Sequence, residues 1–259
     1  MNNIFDTHAH YTDKRFAPDQ ARVLRELPDN GVTLALTCGS NVPDSAAALA
    51  LARGYPHVYA ACGMHPHEAA GFRNQESGEL WRLLQDNRCV ALGEIGLDYH
   101  YDFSPREAQR DVFRRQLELA MELNMPVIIH DREAHEDTLR ILREFNGLRG
   151  VMHCFSGSLE FAREILALGF YIGFGGAVTF RNAKRPLAVA AEIPLDRLLL
   201  ETDAPYMVPE PFRGRRCESH HIAHTANAIA AARGMDAQEL INICCENGRR
   251  LFGIKEDHP

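Results

Sequence analysis

Thirteen histidines occur in 259 residues, and their placement is the first feature with chemical content. The stretch "IFDTHAH", residues 4–10, puts His8 and His10 one residue apart after an apolar, β-favouring run. Alternate side chains of a strand share a face, so both imidazoles point the same way. Farther along come His65 and His67 in "GMHPH", Glu94 and Asp98 in "GEIGLD", His130 in "IIHDR", His153 in "MHCFSG" and Asp203 in "ETDAP". Imidazole with carboxylate is the donor set of divalent ions such as Zn, Mn and Mg. Four imidazoles (His8, His10, His130, His153) with Glu94 and Asp203 exceed the needs of one tetrahedral ion. They suit two ions about 3.5–4 Å apart, bridged by a carboxylate and a water, which is hydrolytic chemistry.

Eight short apolar runs must position these residues: "NIFDTHA", "VTLALTCG", "VYAACGMH", "CVALGEIG", "PVIIH", "GVMHCFSG", "FYIGFGGAV" and "RLLLETDAP". Helical patterns lie between them. One in "PDQARVLRELPDNG" is ended by Pro28, and one in "VPDSAAALALARGYP" starts after Pro43 and stops at Gly54. "SPREAQRDVFRRQLELAMELNMP" has Ser104 as N-cap, Pro105 in the first turn and Glu107 at the capping-box position. "ESGELWRLLQDN", "REAHEDTLRILREFNG", "SLEFAREILALG" and "AKRPLAVAAEIP" continue the alternation, and a last helical region runs from about Glu218 to Phe252 with a break near Gly234. Strands apolar throughout, alternating with helices eight times, predict a parallel sheet covered by helices and the α/β class. Eight units in this length fit a (β/α)8 TIM barrel, with a doubly wound open sheet as the competing architecture. No linker or low-complexity tract divides the chain, so a single domain over residues 1–259 is expected. In a barrel the strand C-termini open on one face, where the metal-capable residues then converge.

The net charge of −7 argues against a protein wrapped in nucleic acid over its whole surface. No apolar run is long enough to span a membrane, and no basic stretch leads into an apolar one at the start. Seven cysteines without a CxxC pair read as reduced thiols, so a cytoplasmic protein with no membrane partner is expected.

Individual residues carry narrower readings. Asp6 and Asp98 are expected to orient ligands rather than bind ions. His65 is read as a contact to substrate phosphate or the edge of a metal site. His67 is left open between a ligand, a substrate contact and a turn shaped by Pro66. Arg132 is open between an anion contact and an ion pair with Glu133, Glu136 or Asp137. His135, His220, His221 and His224 lie in helical stretches, and most of them are expected to face solvent. Only Lys14, Lys184 and Lys255 are lysines, and none ends a strand. This argues against a carbamylated lysine, the metal bridge in many barrel hydrolases that cut C–N bonds; if a carboxylate bridges, Glu94 is the available candidate.

"FDTHAHY", "GMHPH", "GEIGLDY", "MPVIIHDREA", "HCFSGS", "GFYIGFGGAVTF" and "LLLETDAPY", in this order, resemble the TatD family of metal-dependent deoxyribonucleases. The likeness extends to "NGRRLFGI" near the C-terminus. It implies an amidohydrolase-type barrel with two, in some members three, divalent ions held by His8, His10, Glu94, His130, His153 and Asp203. It also implies phosphodiester hydrolysis in DNA, with the 3′→5′ exonuclease action of some members, here on single strands, as one form of it. One segment departs from the family pattern: in "FRGRRCESHH" Cys217 and Ser219 stand where the family has Asn and Pro around the retained Glu218. The same loop is rich in arginine, at Arg213, Arg215 and Arg216.

The expected mechanism places His8, His10 and Asp203 on one ion, His130 and His153 on the other, and Glu94 across both. Water is activated between the ions with Asp203 as proton acceptor, making Glu94 and Asp203 the catalytic carboxylates. His65, Arg132, Arg213 and Arg215 are the candidates for stabilising phosphate charge. Two further readings stay open: a binuclear hydrolase of a small carboxylic ester, lactone or aminoacyl ester, and a non-catalytic barrel scaffold. A monomer is compatible with the sequence.

Overall fold

The structure is a computed structural model and describes residues 1–255. Its eight strands are β1 (Ile4–Ala9), β2 (Val32–Cys38), β3 (Val58–Cys62), β4 (Cys89–Asp98), β5 (Val127–Arg132), β6 (Gly150–Met152), β7 (Tyr171–Phe174) and β8 (Leu198–Leu200). They pair in sequence order, every pair parallel. The ring closes through the segment after β8. Ala204 bridges Ala9, the His10 N–H donates to Ala204 O at 2.6 Å, and the Asp203 N–H donates to His8 O at 2.9 Å. The expected (β/α)8 barrel is therefore the observed fold, and its seam carries three candidate site residues.

One buried cluster takes a residue from every strand: Phe5, Leu36, Ala61, Ala91, Ile128, Val151, Tyr171 and Leu199. Only the barrel lumen can bring all eight strands together, so these side chains fill it. The larger cluster lies between the outer strand faces and the helices. These are α1 (Gln20–Glu26), α2 (Val42–Gly54), α3 (Asn74–Leu84), α4 (Arg106–Glu122), α5 (His135–Leu142), α6 (Leu159–Ala167), α7 (Lys184–Glu192), α8 (Ile222–Arg233) and α9 (Ala237–Phe252). The end of α9 closes the lumen opposite the site, with the Phe252 ring 6.0 Å from that of Phe5.

Local signals decide several helix ends. Gly234 is left-handed at φ 67° and separates α8 from α9. Asn41 accepts the Asp44 N–H and starts α2 one residue before Pro43, which sits harmlessly in the first turn. Ser104 does not cap α4. Its hydroxyl donates to His67 O at 2.8 Å and accepts from the Ala70 N–H at 3.0 Å, so a tertiary contact takes the expected cap. No helix among the described residues is long and apolar enough to cross a membrane.

Candidate metal centre

The barrel's C-terminal mouth holds a cavity of about 810 Å³ lined by His10, His65, His67, Glu94, Asp98, His130, Arg132, His153 and Asp203 among others. His8 lies beneath it, fully buried. Glu94 is not at a strand end, as expected, but within β4, whose last residue is Asp98. Its carboxylate is only 4% exposed, against 20% for Asp203, so Glu94 is the floor of the site and Asp203 its open side.

The two oxygens of Glu94 divide the four imidazoles. Oε2 faces His8 Nε2 at 3.3 Å and His10 Nε2 at 3.5 Å. Oε1 faces His130 Nδ1 at 2.7 Å and His153 Nε2 at 3.1 Å. Asp203 Oδ1 joins the first pair, 3.3 Å from His10 and 3.9 Å from His8. Three donor groups are close enough to hold an ion: His8, His10 and Asp203; His8, Glu94 and His153; His65, Glu94 and His130.

Each imidazole has its second nitrogen engaged from behind. His10 Nδ1 meets Cys38 O at 3.0 Å, and His8 Nδ1 meets Cys38 Sγ at 3.5 Å. His130 Nε2 donates to Asp98 Oδ2 at 3.1 Å, and His153 Nδ1 lies 3.2 Å from Glu201 Oε1. Behind His130 and His153 the group is a carboxylate, the arrangement by which proteins orient a metal-binding ring and raise its basicity. His8 Nε2 and His10 Nε2 also face each other at 3.1 Å. Two basic nitrogens aimed at one point beside two carboxylates are reconciled by a cation between them, so the donor set fits divalent ions.

The charge distribution agrees. Burial opposes ionisation of Glu94, yet the surrounding histidines hold it well below the usual carboxylate range. Asp203 is lowered too, against its burial, chiefly by His10. Burial would lower His10 and His130, but the facing carboxylates outweigh it and raise each to about 9. His65 goes the other way, lowered to about 4 by burial.

His65 Nδ1 accepts the His67 N–H at 3.2 Å. In the neutral ring the proton then sits on Nε2, which points toward Glu94 at 3.6 Å. That makes His65 a hydrogen-bond donor to the cavity. His67 Nε2 donates to Asp98 Oδ2 at 2.9 Å, so Asp98 orients two histidines from β4. Asp6 accepts from Thr202 Oγ1 at 2.6 Å and Ser219 Oγ at 2.5 Å, tying the seam together under the site. Ser219, the departure from the family pattern, thus supports the floor.

Arg132 lines the cavity with its guanidinium over the Tyr101 ring at 4.6 Å. Asp137 is bound instead by Arg110 and Arg140, and Glu133 by His100. Arg213 and Arg215, expected at the substrate, do not line this cavity. Arg213 lies on the Phe180 ring at 3.8 Å and Arg215 near Phe212 at 5.8 Å, because the loop turns outward along the β7 side of the mouth. Of the four helical histidines His221 is the buried one, and its Nδ1 accepts the Glu218 N–H at 3.0 Å. Sequence reasoning missed Glu201. Its one signal was an acid two residues before Asp203 in an otherwise apolar run.

Exposed aromatics rim the cavity. Tyr101 and Phe103 stack at 5.2 Å with planes 19° apart, and Phe103 is 68% exposed. Across the mouth, the Arg15 guanidinium lies over Tyr206 at 3.8 Å.

Comparison with known proteins agrees with this construction. A family model described as TatD related DNase matches residues 5–253. The uncharacterized metal-dependent hydrolase YabD of Bacillus subtilis is 42% identical, over 97% of this chain and 99% of its own. The 3'-5' ssDNA/RNA exonuclease TatD of Erwinia tasmaniensis is 38% identical, over 97% of this chain and all of its own. The crystal structure of YjjV, a TatD homolog from Escherichia coli, superposes with a TM-score of 0.92 at 32% identity, covering 98% of this chain and 99% of that one. The chain therefore belongs to the TatD-related DNase family of metal-dependent hydrolases.

Proposed function

We propose that this protein hydrolyses phosphodiester bonds of single-stranded nucleic acid, DNA first, as a 3′→5′ exonuclease using two divalent ions. The observation that carries the reading is the Glu94 carboxylate, one oxygen facing His8 and His10 and the other facing His130 and His153. His8, His10 and Asp203 would hold one ion and His130 and His153 the other, with Glu94 available to both. Bound there, Zn, Mg or Mn supplies acidification of water and offsets phosphate charge.

The chain's own groups do the rest. Asp203, ionised and on the open side, accepts the proton of the attacking water. The His65 Nε2–H donates to a phosphate oxygen, and Arg132 adds positive charge at the rim. The stacked Tyr101 and Phe103 and the facing Tyr206 offer ring surfaces to unpaired bases, which a duplex would keep inside its stack. The Erwinia relative's name supports a single-strand exonuclease.

The test is hydrolysis of a labelled single strand after chelation and after re-addition of each ion, beside duplex DNA, RNA, a simple phosphodiester and a lactone. Metal-restored activity on the single strand is expected. Full activity without metal, or turnover of the lactone alone, overturns the reading.

A further inference from the structure

Beside the metal centre lies a second cavity of about 340 Å³, bordered by Phe180, Arg181, Lys184, Glu210 and His224. The two cavities share one wall. Met207 lines the first and Glu210, three residues later, the second. This wall is fastened to the loop after β7 at three points. The Glu210 N–H donates to Thr179 Oγ1 at 2.9 Å, and Arg213 stacks on Phe180. Gly176 packs so closely that a Cβ there would stand 2.1 Å from Met207 O. Both loops follow strand C-termini and so belong to the catalytic face.

The charge of this region is unlike that of the chain. In a protein of net charge −7, Arg181, Lys184, Arg185, Arg213 and Arg215 gather here, all exposed. Arg181, Lys184, Arg213 and Arg215 make no ion pair with a carboxylate among the described residues, although Glu210 borders the cavity and Glu160 interacts with Arg185, whereas the neighbouring Arg216 is held by both Asp19 and Glu218. Lys184 is one of only three lysines. Cations on two mutually fastened loops and on the first turn of α7, next to the metal-capable cavity, are complementary to a chain of phosphates.

We infer that the second cavity and its cations bind the backbone phosphates of the same strand, beyond the nucleotide being cleaved. This rests on the nuclease reading above. Phe180 and Arg213 give the subsite a rigid apolar back, and the guanidinium and ammonium groups meet the phosphates. Because the contacts are ionic and lie away from the scissile bond, they act on KM for long strands and leave short substrates alone.

The experiment compares R181Q/K184Q with the wild-type enzyme, both metal-loaded, on a long single strand and on a dinucleotide across a salt series. The double variant is expected to raise KM for the long strand about tenfold at low salt and to flatten its salt slope by about 1.4, two contacts at about 0.7 each. Turnover of the dinucleotide stays at the wild-type value. Unchanged KM and salt slope on the long strand, with the wild type active on both substrates, overturns the subsite and leaves the nuclease reading standing. A wild-type enzyme that cleaves neither strand nor dinucleotide overturns the nuclease reading, and the subsite with it. R181E/K184E gives a second readout: an effect larger than that of the glutamines supports an electrostatic contact, and an equal one overturns it.

Discussion

Glu201 stands directly behind His153, its Oε1 3.2 Å from Nδ1, while the opposite nitrogen of that ring faces the centre of the site. The same oxygen accepts the Cys154 N–H at 2.5 Å, and the carboxylate is almost fully buried. Burial works against a charged His153, but Glu201 and Glu94 raise it well above the ordinary range. Glu201→Gln keeps the shape and the Cys154 contact and removes the charge. It should weaken metal affinity about 10- to 100-fold, read by titration of the metal-free protein. An affinity within twofold of wild type would show that Glu201 only packs.

Glu94→Gln should lower kcat by about 10³-fold or more, since it weakens both halves of the donor set at once and several kcal/mol of transition-state stabilisation go with them. Circular dichroism should be unchanged. A variant with near-normal turnover means that Glu94 does not span two ions.

Metal uptake should release protons. Without metal, His10 and His130 titrate at about 9 and are protonated at neutral pH, whereas Glu94 and Asp203 are already ionised. An ion needs the bare ring nitrogens, and His153 is held above its ordinary range as well, so affinity rises with pH from neutral upward. Calorimetry in buffers of different ionisation enthalpy measures the release. A buffer-independent heat at pH 7 would refute it.

Gly173 is spaced for Glu201. A Cβ at residue 173 would come within 2.4 Å of Glu201 Oε2. Gly173→Ala should cost about 1–3 kcal/mol of stability by overpacking and also reduce metal affinity, because the displaced carboxylate no longer lies behind His153. Thermal melting with and without metal separates the two effects.

Phe103→Ala removes the most exposed ring of the rim. If a base stacks there, KM for a single strand should rise by the equivalent of about 1–3 kcal/mol, with kcat little changed. A simple phosphodiester without bases should show no difference, which separates stacking from general damage to the mouth.

The barrel was readable because each strand is a short apolar run and most helices are amphipathic, with Gly54 and Gly234 marking ends where local chemistry decides. Ser104 was misread for the opposite reason. Its local context is that of a cap, but the turn at Pro66–Gly71 lies within reach and takes the hydroxyl. The charge of Arg213 and Arg215 was legible, whereas their direction was not, since the path of a loop depends on what it packs against.

By itself the sequence determined which side chains could meet at one mouth. Histidines and acids at the C-terminal ends of apolar runs have nowhere else to converge once the strands form a parallel ring. It did not determine how they divide. That Oε1 of Glu94 serves His130 and His153 while Oε2 serves His8 and His10 follows from the closure of β1 on the segment after β8 and from the placement of Glu94 inside β4. Glu201 likewise became a partner of His153 only through the packing of β7 and β8, where Gly173 leaves the space. Spacing along a chain sets which face a residue takes. Distances across a barrel are set by strand register, and register is settled by the packing of the whole ring.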